Sequence, residues 1–368
     1  MPTLFNHSVA GSYPDSELAG IAGAPLYSTR ILGCTTPNDV VQLPPEVRPE
    51  FDWIGGHYDA AGVPFTRNVV WDLELDRARR YADHDWSVFL YSRLHARARP
   101  DPRWLDASTR MNDKNRFIQL CWELGMPVPK TRCFNHKREA SLRIGDIPLP
   151  IYRKTACSAS GVGVVLCNDL EELVADLREM EDGIPFQLQE PVESPRAFIN
   201  VQYGIQAGQP IRIGITDQML NGYSHAGNRY PTEFPDGVWE ICDPVATAIA
   251  DMGLQGIFAF DVAIDGYGNP LLIECNPRWN AASYYWTVAQ RLGAPHWFCT
   301  NQKVKVNRLR DLNLDGLAFD PATRRGLVIV LWGTVLKTKL GVLYAGHSHD
   351  DCLDLQQAFL QRNGASAH

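Results

Sequence analysis

The 368-residue chain contains no CxxC pair among its nine cysteines (34, 121, 133, 157, 167, 242, 275, 299 and 352). A zinc ribbon and a dithiol redox pair are therefore not expected, and scattered reduced thiols are. Basic charge is in deficit, with Lys+Arg at 35 against Asp+Glu at 42 and a formal net charge of −7. A nucleic-acid binder or an anionic-membrane binder would carry the opposite balance, so neither partner is expected. No apolar run approaches the ~20 residues of a membrane span. The start, residues 1–16, has no basic stretch followed by an apolar core, so no secretory signal is expected and a cytoplasmic location is. Neither GxxxxGK[ST] nor GxGxxG occurs, nor a GxSxG elbow, an internal repeat or a low-complexity tract. What is present is ordinary soluble composition, 45% hydrophobic and 21% charged, which excludes a disordered chain. The length exceeds one compact unit, so two or three are expected.

Residues 1–105 are punctuated by Pro and Gly, with short apolar runs at 27–33 and 87–91, and read as an α/β unit of short strands and long loops. The charged segment 72–83 reads as an exposed helix. From residue 112 the pattern sharpens. Asn112 or Asp113 caps a helix to Leu124, with Phe117, Ile118, Cys121 and Leu124 on one face. Strands are expected at 150–154 and 164–167, then a helix from Asn168, with Glu171 completing the cap, to about Asp182. Further strands are expected at 186–192, 197–205 and 211–220, the last two parted by Gly208-Gln209-Pro210. A helix should start at Pro244 and close at Gly253. The C-terminal stretch holds strands at 327–332 and 340–344 and a helix at 350–360.

The strongest chemical signal is the segment 255–280, QGIFAFDVAIDGYGNPLLIECNPRWN. It reads as a hairpin, strand 255–264 returning as strand 271–276. Strand side chains alternate, so Ala259, Asp261 and Ala263 share a face, as do Leu272, Glu274 and Asn276. If residues 265–270 form the loop, Ile264 pairs with Leu271 and Asp261 lies opposite Glu274. Two facing carboxylates repel; a hard divalent cation between them turns repulsion into ligation, and Asn276 adds a neutral oxygen. Mg²⁺ takes few protein carboxylates and fills its octahedron with water and phosphate oxygens. An ordinary hairpin whose acids face solvent explains the same spacing. Arg278 adds a planar cation suited to phosphate or carboxylate.

Lys154 ends an expected strand and is followed at once by the small-residue loop 155–163, TACSASGVG, containing Ser158, Ser160, Gly161 and Gly163. Small residues let backbone N–H groups approach a phosphate chain, and hydroxyls add donors. A flexible hairpin loop reads the same way. Lys114 stands at the head of the helix before it.

The order lysine, lysine with small-residue loop, apolar stretch with a Glu, paired-acid hairpin resembles the ATP-grasp superfamily of carboxylate–amine ligases. The resemblance covers roughly residues 105–295. It implies an α/β (α+β) ATP-grasp fold, with an N-terminal pre-ATP-grasp domain (1–110), a small subdomain bearing the phosphate lid (111–188), a large subdomain bearing the metal site (189–300) and a C-terminal extension (301–368). By the same resemblance Lys114 and Lys154 hold ATP phosphates together with Ser158, Ser160, Gly161 and Gly163. Gln189, Glu190 and Val192 belong to the segment that recognises adenine. Asp261, Glu274 and Asn276 match the metal triad for Mg²⁺, or Mn²⁺ in its place, with the spacing of the D-alanine–D-alanine ligase group. Asn276-Pro277-Arg278 resembles the motif end in biotin carboxylase and carbamoyl phosphate synthetase. Residues 333–347 resemble the extra domain of pheganomycin-type peptide ligases.

The chain departs from the family where a ribose-binding acid is expected. Arg196 stands there, and Glu193 is the substitute. Residues 218–231 read as a loop beside the acceptor site, with His225 or Arg229 able to hold a carboxylate, or as a structural turn. The implied chemistry is ATP-dependent amide or peptide formation through an acylphosphate. Lys154 and Arg278 would be catalytic, and the substrates an amino acid or other small carboxylate and an amine acceptor. Carboxylation, phosphoryl transfer and a non-catalytic nucleotide-binding regulator remain as rivals. A hydrolase built on His57 or Cys157 is disfavoured, because both read as structural. Many relatives are dimers, so a homodimer is the assembly the resemblance suggests.

Overall fold

The structure, a computed structural model, describes residues 1–9, 23–158, 163–222, 224–364 and 366–367. The chain divides into two compact units. One comprises Met1–Pro102, Ala226–Thr232 and Arg278–His368; the other comprises Arg103–His225 and Glu233–Pro277. Among the described residues no helix is long and apolar enough to cross a membrane.

The first unit begins with four short parallel strands, β1 (Thr3–Asn6), β2 (Val40–Gln42), β3 (Val69–Val70) and β4 (Asp85–Val88), in the order β3-β2-β1-β4. The expected α/β character is present, but the apolar run 27–33 is not a strand. It lies within a 3₁₀ helix, Ala24–Cys34, that starts with Pro25 and buries Leu26, Ile31 and Leu32. Arg291 fixes the end of this helix by donating to the carbonyls of Gly33, Cys34, Thr35 and Pro64. Segment 72–83 is helical only in short pieces, Leu75–Ala78 and Arg79–Tyr81.

The second unit contains an antiparallel sheet of β5 (Thr131–Phe134), β6 (Ile151–Thr155), β7 (Val164–Cys167) and β8 (Phe186–Gln189), ordered β5-β8-β6-β7. Ile151, Phe186 and Leu188 pack with Leu173 and Leu177 of helix Leu170–Glu179. That helix is capped by Asp169, whose side chain accepts from the Glu172 N–H, one residue later than the cap expected at Asn168. Arg153 of β6 clamps the helix through a two-pronged pair with Asp176, at 2.5 and 2.6 Å.

The same unit holds β9 (Ala197–Gln206), β10 (Gln209–Asn221), β12 (Ile257–Ile264) and β13 (Pro270–Asn276), in the order β13-β12-β9-β10 and antiparallel. The turn between β9 and β10 is Ala207-Gly208, both with positive φ (50° and 77°), and Gln209 and Pro210 already pair within the ladder. A two-residue turn with both φ positive matches the strand twist, which explains why the connection is tighter than the expected three residues. One face of β9 and β12 carries Tyr203, Phe258 and Phe260, stacked with Phe117 of helix Lys114–Glu123. Helix Gly237–Met252 joins that face, Asp243 accepting from the Tyr203 hydroxyl at 2.7 Å. It starts seven residues before the expected Pro244, which lies inside it. Proline fits a first helical turn best, so the sequence pattern placed the boundary at the wrong turn.

The first unit is completed by β11 (Ser224–Tyr230) from Ala226 onward, β14 (His296–Lys303), β15 (Gly326–Leu331), β16 (Lys339–Gly346) and β17 (Ser366–Ala367). β14 pairs with β11, β16 and β17, and β15 pairs with β16, all antiparallel. Segment 218–231, expected as a loop, is mostly the end of β10 and all of β11. His57 is buried here, its Nε2 accepting from the Ile329 N–H at 3.2 Å, and burial lowers its pKa to about 4; the role is structural.

Candidate active site

In the acidic hairpin Asp261 lies opposite Glu274, as the sequence reading expects, but by a different route. Ile264 pairs with Pro270 rather than Leu271, so the loop is the five residues 265–269. A bulge at Ile273, between the Val262–Leu272 and Asp261–Glu274 pairs, restores the offset. The Asp265 side chain fixes the tight loop by accepting from the N–H groups of Tyr267 and Asn269. The bulge also re-aims the strand. Leu272 is fully buried, whereas Ile273 and Glu274, neighbours in sequence, both line one cavity.

That cavity, about 350 Å³, lies wholly in the second unit. Its polar wall is Lys114, Lys154, Ser158, Gln189, Glu190, Gln218, Asp261 and Glu274. Its apolar wall includes Tyr152, Val192, Phe198, Leu220 and Ile273. Each group arrives by local rules. Alternation along β6 turns Arg153 toward the helix and Tyr152 and Lys154 toward the cavity. The Asp113 cap, accepting from the N–H groups of Asn115 and Arg116, starts the helix at Lys114 and leaves its ammonium 3.2 Å from Glu274 Oε2. Lys114 Nζ also donates to the Ser158 carbonyl (3.1 Å) and hydroxyl (3.3 Å), tying down the start of the small-residue loop. Gly163 closes that loop with φ +73°, where a Cβ would come within 2.6 Å of Thr155 Oγ1, so glycine is required.

Charge is concentrated and partly desolvated. Burial lowers the Lys154 pKa to about 8, Glu274 and Asp261 pulling against it. Lys154 Nζ donates to Gln189 Oε1 at 2.6 Å, and Gln189 Nε2 donates to Thr131 Oγ1 at 2.9 Å. Burial, then Glu274, raises the pKa of Asp261. Asp261 is ringed by amides. Asn200 donates at 2.8 Å and Gln218 beside it to Oδ1, and Asn276 donates at 3.0 Å to Oδ2. Two carboxylates crowded in a buried site, their charge unbalanced enough to raise one pKa, are a donor set that fits a hard divalent cation. Among the described residues no three His, Cys, Asp or Glu side chains converge, so any such cation would draw its remaining ligands from Asn276, water and bound oxygen groups.

Of the residues singled out in the sequence, Lys114, Lys154, Ser158, Gln189, Glu190, Val192, Asp261 and Glu274 meet at this cavity. Asn276 joins them through Asp261. Ser160 and Gly161 lie outside the described residues. Glu193 is exposed and does not line the cavity; its carbonyl accepts from the Gly266 N–H. His225 and Arg229 are exposed on β11, and Arg278 belongs to the first unit, its guanidinium 5.8 Å from the Phe89 ring centre. The sequence reading passed over Asn200 altogether and took Gln218 for a loop residue. Their signal was strand alternation. Asn200 pairs with Asp261 across β9 and β12 and with Thr216 across β9 and β10, which places Gln218 on the same face.

No family model matches the chain. Over 211 residues it is 24% identical to the carbamoyl phosphate synthase arginine-specific large chain of Bacillus subtilis, a match spanning 55% of this chain and 20% of that one. Over 181 residues it is 28% identical to the D-alanine–D-alanine ligase of Pseudomonas entomophila, spanning 46% of this chain and 55% of the relative. The chain therefore spans about half the length, or less, of these curated relatives. Among solved structures it superposes on an ADP complex of N5-carboxyaminoimidazole ribonucleotide synthetase with a TM-score of 0.61 at 11% identity, covering 97% and 95% of the two chains. It superposes on the Campylobacter jejuni biotin carboxylase, solved as a β-γ-ATP complex, with a TM-score of 0.59 at 12% identity, covering 99% and 92%. At such identities the likeness is one of fold.

Proposed function

Starting from a fold that is that of the ATP-grasp superfamily of carboxylate–amine ligases, we propose that the chain is an ADP-forming ligase joining a small carboxylate to an amine through an acylphosphate, of the amide- or peptide-forming type. The observation that carries this reading is the meeting of Asp261 and Glu274 with Lys114 and Lys154 at one cavity. Two kinds of charge are needed to bring anions together, and both are there.

In this reading Lys114 and Lys154 hold nucleotide phosphates, and the Gln189–Val192 segment with Tyr152, Phe198 and Leu220 encloses the base. Asp261, Glu274 and Asn276 hold Mg²⁺, which when bound neutralises phosphate charge. Asn200 and Gln218 orient Asp261 from behind. Burial lowers the Lys154 pKa to about 8, so below that pH it keeps its proton, and arriving phosphate oxygens favour the charged form further. Arg278 is the candidate for substrate carboxylate. Positioning and charge stabilisation, rather than covalent work by the protein, supply the rate.

The test is ADP release by the full chain with paired amino acids, with products identified by mass spectrometry. Glu274→Gln and Lys154→Ala are expected to abolish release while circular dichroism stays unchanged. Full activity in either removes the site. Release that depends on bicarbonate instead of an amine would replace amide formation with carboxylation.

A further inference from the structure

The first unit carries a concentration of positive charge of its own. The guanidinium of Arg30 lies over three aromatic rings, 4.3 Å from the centre of Tyr284, 4.9 Å from Phe89 and 5.9 Å from Tyr27. Arg278, which makes other contacts of its own, brings a second guanidinium to the same Phe89 ring at 5.8 Å. Rings that cover the faces of a guanidinium leave its N–H edge to recognise something planar and anionic. Arg30 hydrogen-bonds the Tyr284 hydroxyl but has no carboxylate partner among the described residues, and its buried Nε has no hydrogen-bond partner. Among the described residues the groups around it supply no anion either. Tyr284 and His7 are fully buried and held neutral, chiefly by burial. Among the described residues the titratable neighbours that act on them are Arg30, Arg278, Cys34 and His95, with no Asp or Glu among them. His7 is fixed between the Tyr284 hydroxyl (2.8 Å) and Ser87 Oγ (3.0 Å).

Topology points to the same place. The chain lays down β1, β2 and β3 outward in one direction and then returns to the other side of β1 as β4. In open parallel sheets ligands bind outside the carboxyl ends of the strands where the order reverses in this way. His7 directly follows β1 and Phe89 directly follows β4, so the arginine cluster sits at that reversal.

We propose that Arg30, with Arg278 beside it over Phe89, forms a carboxylate-binding site at the carboxyl ends of β1 and β4, and that it holds one of the ligase's two small-molecule substrates by its carboxylate. The identity of that ligand as a substrate rests on the ligase reading above; the site itself does not. The test is calorimetric titration of the full chain with N-acetylglycine and with its uncharged analogue N-acetylglycinamide, alongside a separate titration with MgADP. The acid is expected to bind in the millimolar range and the amide at least about tenfold more weakly, as loss of a charge-assisted pair implies. Arg30→Gln should abolish acid binding and leave MgADP binding within about twofold. Arg30→Lys keeps the charge but loses the planar fork, so it should bind the acid more weakly than the native chain. It carries the comparison if Arg30→Gln does not fold. Equal binding of acid and amide, failure of the native chain to bind the acid, or unchanged acid binding in the variants overturns the site. Arg30-dependent acid binding without MgADP uptake leaves this site standing and defeats the ligase reading.

Discussion

At the scale of single residues, Lys154 makes the site pH-dependent in two opposite senses. Its folded-state pKa, about 8, lies below the ordinary lysine value of 10.5. The ligand-free fold therefore releases the proton first as pH rises. The cost of burying the charge is felt below about pH 8 and is relieved between there and 10.5, so stability should rise across that window. Phosphate oxygens favour the protonated form, so MgADP affinity should fall over the same window. Calorimetry on both sides of pH 8 checks this, and a flat profile assigns the phosphate contact to another group. Asp261 depends on its amide neighbours. Asn200→Ala removes one donor and should weaken Mg²⁺-dependent nucleotide binding by about ten- to a hundredfold, read as the difference between titrations with and without the metal. Asp261, Glu274 and both lysines were legible in the sequence because their chemistry is local: an acid on each arm of a hairpin, a lysine at a helix head and another at a strand end. Arg30 was not, because its meaning comes only from rings that the fold brings to it.

At the scale of elements, the hairpin shows how a correct pairing can follow from two departures that cancel. The loop is one residue shorter than the spacing suggested, and the Ile273 bulge takes up the difference. The bulge is what brings Glu274 opposite Asp261, because in an uninterrupted ladder Ile273 would take that place; deleting Ile273 should therefore keep Glu274 opposite Asp261 in a regular ladder. Retained nucleotide binding is the expected result, and loss of binding in a chain that keeps its thermal transition would mean that the bulge geometry itself, not the pairing, aims Glu274. The small sheet is held to its helix by Arg153 and Asp176, whose side chains are 9% and 14% exposed. Asp176→Ala leaves a buried guanidinium unpaired and should cost about 3–5 kcal/mol, measured as a lower midpoint in urea. Strand alternation and helix caps were readable to within a residue or two. The interior Pro244 and the 3₁₀ run after Ala24 were not, because each is decided by what packs against the element.

At the scale of the whole molecule, the two units are interleaved in sequence, the first built from three separate stretches. Nucleotide held within the second unit should stabilise it by mass action, by about 2.7 kcal/mol at a hundredfold excess over Kd. Scanning calorimetry with and without MgADP checks this, and an unchanged profile at a large excess of nucleotide means that the folded chain does not bind it. The sequence by itself determined the kind of chemistry available in the second unit. Acids, amides and lysines fall on particular faces because side chains alternate along strands and helices start at caps, and both are nearest-neighbour effects. Only the tertiary structure decided which faces meet. The bulge that brings Glu274 opposite Asp261, the amides of β9 and β10 gathered on Asp261, and the aromatic rings around Arg30 at the strand reversal all depend on contacts between segments far apart in the chain, which leave no local pattern to read.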